Sequence, residues 1–171
     1  SNPALAAPLI SAAEQLCLQN QFSSAHATFI EPDQVPLFED ADWLLRTDIQ
    51  FHWVNQGFAS FDDFLATLTS RKRKDLRKER AAAQEGLEIV RLTGDDIRPH
   101  HWDAFWHFYQ DTGARKWGQP YLTRAAFDLL GERMGEKIVL VLALEDGEPI
   151  AGALNFIGGD ALYGRYSGCT R

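Results

Sequence analysis

Cysteine is scarce: the 171 residues contain two, Cys17 and Cys169, at opposite ends. One pair builds no disulfide framework, and neither residue sits at ligand-like spacing from another, so both read as thiols of a reducing, cytoplasmic compartment. Long apolar runs are missing too. Nothing approaches the roughly 18 consecutive apolar residues that a membrane-spanning helix needs, and the apolar opening stretch to Ala13 is too short. The start, Ser1-Asn2-Pro3-Ala4, has neither an initiator Met nor a basic segment, which reads as a trimmed or processed end and not as a secretory leader. There is no G-x-S-x-G turn, no P-loop and no paired-Cys motif, so hydrolase, NTPase and zinc classes lose their usual signatures. His100, His101 and His107 lie at spacings that suit no metal site, with no Cys nearby, and no metal is expected.

What is present is an ordinary globular composition, 45% apolar and 24% charged. The length suits one domain or parts of two small ones, with enough chain for a core that needs no staple. The net charge of −7 argues against general nucleic-acid binding, and DNA is not an expected partner. Its distribution is uneven. Residues 71–80 hold seven bases (Arg71, Lys72, Arg73, Lys74, Arg77, Lys78, Arg80) against Asp75 and Glu79, a balance of +5; with −7 overall, the remainder carries −12.

Ser11 to Asn20 has helical character. Ser24 to Ile30 alternates Ala25, Ala27 and Phe29 with His26 and Thr28, the period of a strand. A short helical or irregular stretch follows from Glu31 to Phe38, and two β-rich runs, Asp42–Arg46 and Ile49–Asn55, read as a hairpin. Ser60 and Asp63 have capping-box spacing, Phe61, Phe64, Leu65 and Leu68 form an apolar face, and Gly86 is a natural stop. One helix of about 25 residues is therefore expected, apolar in its first half and basic in its second. Then come a strand (Leu87–Leu92), an aromatic helix (His101–Asp111) with Trp102, Phe105, Trp106 and Tyr109 facing the core, and a loop from Thr112 to Pro120. A second helix (Thr123–Met134) has Phe127, Leu129 and Leu130 inward. Three strands close the sequence: Lys137–Leu144, Pro149–Ile157 and Ala161–Tyr166.

Four segments carry a likeness. Gln50-Phe51-His52-Trp53-Val54-Asn55, Ser70 to Arg80, Asp111-Thr112-Gly113-Ala114-Arg115-Lys116-Trp117-Gly118 and Gly152-Ala153-Leu154-Asn155-Phe156-Ile157-Gly158 resemble the bacterial FemAB-like family of predicted N-acyltransferases, over roughly residues 10–171. The resemblance implies an α/β, GNAT-like mixed sheet with flanking helices. Residues 1–58 would be the C-terminal part of a first GNAT-like domain, 59–86 a long connecting helix, and 87–171 the N-terminal part of a second domain. Chains of that family are longer at both ends, so this one is expected to be a fragment, without the loop and helix that usually grip a cofactor pyrophosphate after the fourth strand.

The candidate functional residues fall into four groups. On the basic helix, Arg71, Lys74 and Lys78 share one face and Arg73, Arg77 and Arg80 a neighbouring one. Forked donors on a rigid element suit phosphate or carboxylate, although a solvated face paired with Asp75 and Glu79 would look the same. The loop carrying Arg115, Lys116 and Trp117, with Tyr121 and Arg124 after it, offers cations, a stacking ring and flanking glycines; the alternative is a connector whose Trp plugs the core. By the resemblance, backbone N–H groups around Ala161–Tyr166 would hold an oxyanion, with Asn155, Tyr163 and Arg165 in the cleft; these three are otherwise polar residues on a solvated sheet face. His52, between two aromatics, is either a general base or a structural hydrogen-bonder.

Together these imply transfer of an acyl or aminoacyl group from an acyl-CoA or aminoacyl-tRNA donor to an amine, a cell-wall precursor being one acceptor. Two rivals stand beside it. One is a non-catalytic module that binds an anionic cell-wall precursor or RNA. The other is a structural fragment that self-associates through its open sheet, giving a homo-oligomer.

Overall fold

The structure, a computed structural model, describes residues 3–115 and 120–170. The chain divides into two compact units, Ser1–Gly57 and Phe58–Arg171.

In the first unit, helix α1 spans Pro3–Gln19, starting earlier than the sequence suggested. A 3₁₀ turn, Pro32–Gln34, leads into the short helix α2, Val35–Glu39, as expected. Trp43 links these pieces: its indole N–H donates to Glu14 Oε1 at 2.6 Å, and its ring meets Phe38 edge-on. The expected strand 24–30 and hairpin 42–55 do not form; both stretches are irregular. Phe29 and Asp42 adopt positive φ (57° and 58°), which interrupts extended backbone inside the first run and at the start of the second. A period-two pattern also needs a ladder partner, and no described segment supplies one. Leu44 and Phe51 are consequently 97% and 94% exposed.

The second unit opens with α3, Phe61–Ala66. Its cap is reciprocal: the Asp63 N–H donates to Ser60 Oγ at 3.1 Å, and the Ser60 N–H donates to Asp63 Oδ2 at 2.9 Å. The single long helix expected here is broken. Residues 67–69 interrupt it, and α4 restarts over Ser70–Gln84. The break lies at Thr67-Leu68-Thr69, where two β-branched residues weaken the helix and the Thr67 hydroxyl donates back to Phe64 O at 2.7 Å. Gly86, at φ 74°, follows the end of α4 as read from the sequence.

Strand β1 is Glu88–Leu92, and α5 spans Pro99–Arg115. Pro99 opens α5, where its missing N–H costs nothing. Trp102, Phe105 and Tyr109 are buried as expected, and Phe108 joins them. Helix α6, Arg124–Met134, inserts Phe127, whose ring lies 5.6–5.9 Å from those of Trp102, Phe105 and Tyr109. Leu130, at i+3 from Phe127, packs on the core as expected, whereas Leu129, also expected inward, is 51% exposed. No helix among the described residues is long and apolar enough to cross a membrane.

Strands β2 (Ile138–Glu145), β3 (Glu148–Gly158) and β4 (Ala161–Cys169) complete a sheet ordered β1-β2-β3-β4. Every pairing among the described residues is antiparallel, where a mixed sheet was anticipated. The register sets up two cross-strand rows: Leu92, Leu140, Leu154 and Tyr166, then Val90, Leu142, Gly152 and Gly168. The second row tapers from branched side chains to bare backbone, and α5 packs against β3 and β4. A Cβ on Gly152 would come within 2.9 Å of Phe105 and 3.3 Å of Phe108. The glycines are what let the helix lie down on the sheet.

Candidate functional site

The register between β3 and β4 slips by one: Leu154 faces Tyr166, but Asn155 faces Gly164. Arg165 is thus an extra residue on β4. Such a bulge leaves one residue outside the ladder and re-aims its side chain. Asn155 anchors the other side of the slip, its Nδ2 donating to Val139 O at 3.1 Å and Ala153 O at 3.2 Å. The amide is therefore held by its own sheet.

Beside the bulge, the Arg165 guanidinium lies 4.4 Å from the centre of the Tyr166 ring, and its Nη2 donates to Tyr121 Oη at 3.0 Å. The Tyr121 and Tyr166 hydroxyls hydrogen-bond to each other. Burial, reinforced by the bond to Tyr121 and opposed by the Arg165 charge, pushes the Tyr166 phenol up to about 12. Tyr109 sits beneath, its ring edge-on to Tyr166 at 5.1 Å, and its hydroxyl accepts the Leu122 N–H at 3.2 Å. Two of the residues singled out from sequence, Tyr121 and Arg165, are thereby brought together across 44 positions.

Further along β4, Arg115 at the end of α5 donates to Cys169 O at 3.4 Å and lies 3.0 Å from Asp111 Oδ2. That approach is a charge contact outside hydrogen-bond alignment, since Asp111 Oδ2 has no hydrogen-bond partner. Arg115 thus holds the helix end to the edge strand, its charge already met by Asp111. Arg124 is also engaged, by Asp103 at 2.6 Å, Asp128 at 2.8 Å and the Pro99 carbonyl at 3.0 Å. Burial works against its charge, but these carboxylates outweigh that and raise its pKa. Lys116 and Trp117 lie outside the described residues. Tyr163 is 59% exposed, with its ring over Gly158.

The basic helix separates into two populations. Arg73 turns inward and donates to the carbonyls of Leu65 (3.1 Å), Ala66 (3.4 Å) and Leu68 (3.1 Å) around the break between α3 and α4. Arg77 pairs with Asp62 at 2.7 Å, and Arg80 lies over the Phe61 ring at 4.3 Å. These guanidinium groups fasten α4 to α3. At 3.6 residues per turn, Arg71, Lys74 and Lys78 point roughly 130° away from that set. They are exposed, with no ion pair among the described residues.

His52 belongs to the first unit. It is exposed, meets Gln50 Oε1 at 3.2 Å, and lines a cleft of about 990 Å³ with Phe29, Trp43, Leu45 and Arg46. Sequence reasoning did not single out Tyr166 or the Tyr109 hydroxyl. The available signal was that a tyrosine on an apolar stripe carries a polar tip needing a partner.

The FemAB-like family model, described as peptidoglycan biosynthesis/recognition, matches residues 1–171. No curated protein matches the chain. With that match running from end to end, over a core of helices on an antiparallel sheet, the chain belongs to the FemAB-like family.

Proposed function

We propose that the chain is part of an N-acyltransferase that moves an acyl or aminoacyl group from a CoA or tRNA carrier directly to an amine, with a cell-wall precursor as the acceptor class. Membership of a family described by peptidoglycan biosynthesis/recognition supports the reaction class. The observation that carries the site assignment is the bulge at Arg165. An extra residue on an edge strand frees backbone N–H groups from the ladder, and such groups suit the oxyanion that develops as an amine attacks a carbonyl. Residues 87–171, in the order strand, two helices and three strands, supply the first half of a GNAT-like fold in this reading, and residues 1–58 the closing half of another.

A second reading, binding of an anionic ligand without turnover, is favoured by the exposed Arg71, Lys74 and Lys78. One experiment separates them. The chain is incubated with acyl-CoA and aminoacyl-tRNA donors and amine acceptors, including a nucleotide-linked cell-wall precursor, and products are read by mass spectrometry. Amide product that depends on the protein is the expected result. Saturable binding of donor or precursor with no product from any pair would overturn the transferase reading in favour of the binding module.

A further inference from the structure

We propose that Tyr121 is the catalytic residue that carries the proton in this transfer, with Tyr166 and Arg165 as its positioning residues; the assignment rests on the acyl-transfer reading. A count of donors around one oxygen leads there. An arginine only donates, so Tyr121 Oη accepts from Arg165 Nη2 at 3.0 Å. Either hydroxyl can donate in the bond between Tyr121 and Tyr166 while both are phenols, but once Tyr121 gives up its proton only Tyr166 can donate across it. As a phenoxide, Tyr121 Oη therefore meets two donors, one of them charged, at the end of a side chain that is 69% exposed. Donors aimed in advance at one oxygen support negative charge there.

The surroundings fix this arrangement. The bulge places Arg165, and stacking on Tyr166 holds its guanidinium. Leu122, the next residue along from Tyr121, is pinned to α5 through Tyr109 Oη. Tyr163, two positions before Arg165, is as accessible but has no hydrogen-bond partner among the described residues.

The chemistry balances. The amine nitrogen bonds to the acyl carbon while the bond from that carbon to the leaving sulfur or oxygen breaks. Tyr121 gives its proton to the departing atom. The phenoxide, held by Arg165 and Tyr166, takes the surplus proton from the new amide nitrogen, so that amide and free thiol or alcohol leave and the tyrosine is restored.

The test needs no substrate. N-acetylimidazole acetylates phenols through their ionised form, and peptide mass spectrometry follows Tyr121 against Tyr163 as an internal reference. Tyr121 is expected to react at least about fivefold faster, and Tyr166→Phe and Arg165→Lys to bring the two within about twofold. Equal rates in the native chain, or a preference that both variants keep, would overturn the assignment. Circular dichroism of each variant confirms that it folds. Where transfer is observed, Tyr121→Phe should lower kcat by on the order of 10²–10⁴ with KM little changed; unchanged kcat overturns the proton role and leaves the transferase reading standing. Absence of transfer from the native chain counts against the transferase reading alone, since the labelling ratio decides the tyrosine's proton chemistry by itself.

Discussion

Gly168 on β4 faces the Phe108 carbonyl of α5 so closely that a Cβ there would lie 2.5 Å from the oxygen. The obstacle is backbone, which cannot swing aside as a side chain would, and Thr112 Oγ1 blocks the same volume at 2.6 Å. Gly168→Ala should therefore lift α5 off the sheet edge and lower stability by about 1–3 kcal/mol. Gly164→Ala is the matched control on the same strand, because its new Cβ would meet only Asn155 Oδ1 at an ordinary 3.6 Å. Urea unfolding of the two variants checks this, and equal midpoints would show that the close approach is not what holds helix to strand.

Arg73 and Lys74 are neighbours in sequence with opposite tasks. The guanidinium of Arg73 satisfies three carbonyls around the end of α3, whereas Lys74 is exposed on the other side of α4. Hydrogen bonds to a charged donor contribute about 1.5–3 kcal/mol where buried; two of these are part-buried and the one to Ala66 is exposed, so Arg73→Gln should cost about 1–2 kcal/mol. Lys74→Gln should stay within about 0.5 kcal/mol. Thermal unfolding of the pair is the measurement, and a destabilised Lys74→Gln beside an unaffected Arg73→Gln would reverse the assignment.

Ligand binding should show the reverse order. If the free cations of α4 meet phosphate, replacing Arg71, Lys74 and Lys78 together by Gln should weaken tRNA binding and flatten its salt dependence, each lost phosphate contact removing about 0.7–0.9 from the log–log slope. Arg73→Gln should leave that slope alone. Titration at several salt concentrations reads both, and an unchanged slope in the triple variant would mean that this face does not meet phosphate.

The second unit was legible in sequence because its signals are local. The run from Ile138 to Leu144, the turns at Gly147 and Gly159, and the spacing of Trp102, Phe105 and Tyr109 each specify an element within one window. The first unit was not. Phe29 and Phe51 sit in alternating patterns that say strand, but alternation states only what a strand would bury, and the ladder partner is a long-range matter. The break at Thr67-Leu68-Thr69 was hidden by good helix formers on either side. In the site, Tyr121 and Arg165 could be picked out as an aromatic and a cation in promising segments. Their meeting depends on a one-residue slip in register, which no local period encodes. Tyr166 was named only as the end of a strand valued for its backbone, so its hydroxyl was passed over, and Arg73 was misread because charge alone does not reveal which guanidinium has turned back onto the chain.

His101 supplies a pH dependence whose sign is fixed. Its Nδ1 accepts the Arg98 N–H at 3.0 Å, so a histidine closes the first turn of α5 where a glutamate commonly does. Burial first, then the positive charge of neighbouring His100 and of Arg98, lowers its pKa below the ordinary 6.5, and a backbone hydrogen bond at Asp96 opposes them only in part. A depressed histidine is neutral in the folded chain while the unfolded chain takes up a proton. Near pH 7.5 both forms are neutral and the residue adds no pH dependence. As the pH falls through 6.5 the unfolded state gains protons that the folded state refuses, so stability declines, levelling off once the folded-state pKa is passed. His101→Asn keeps a short acceptor near Nδ1 and removes the titration. Melting temperatures between pH 7.5 and 5 should fall more steeply for the native chain than for this variant, and parallel curves would show that the His101 proton is not coupled to folding.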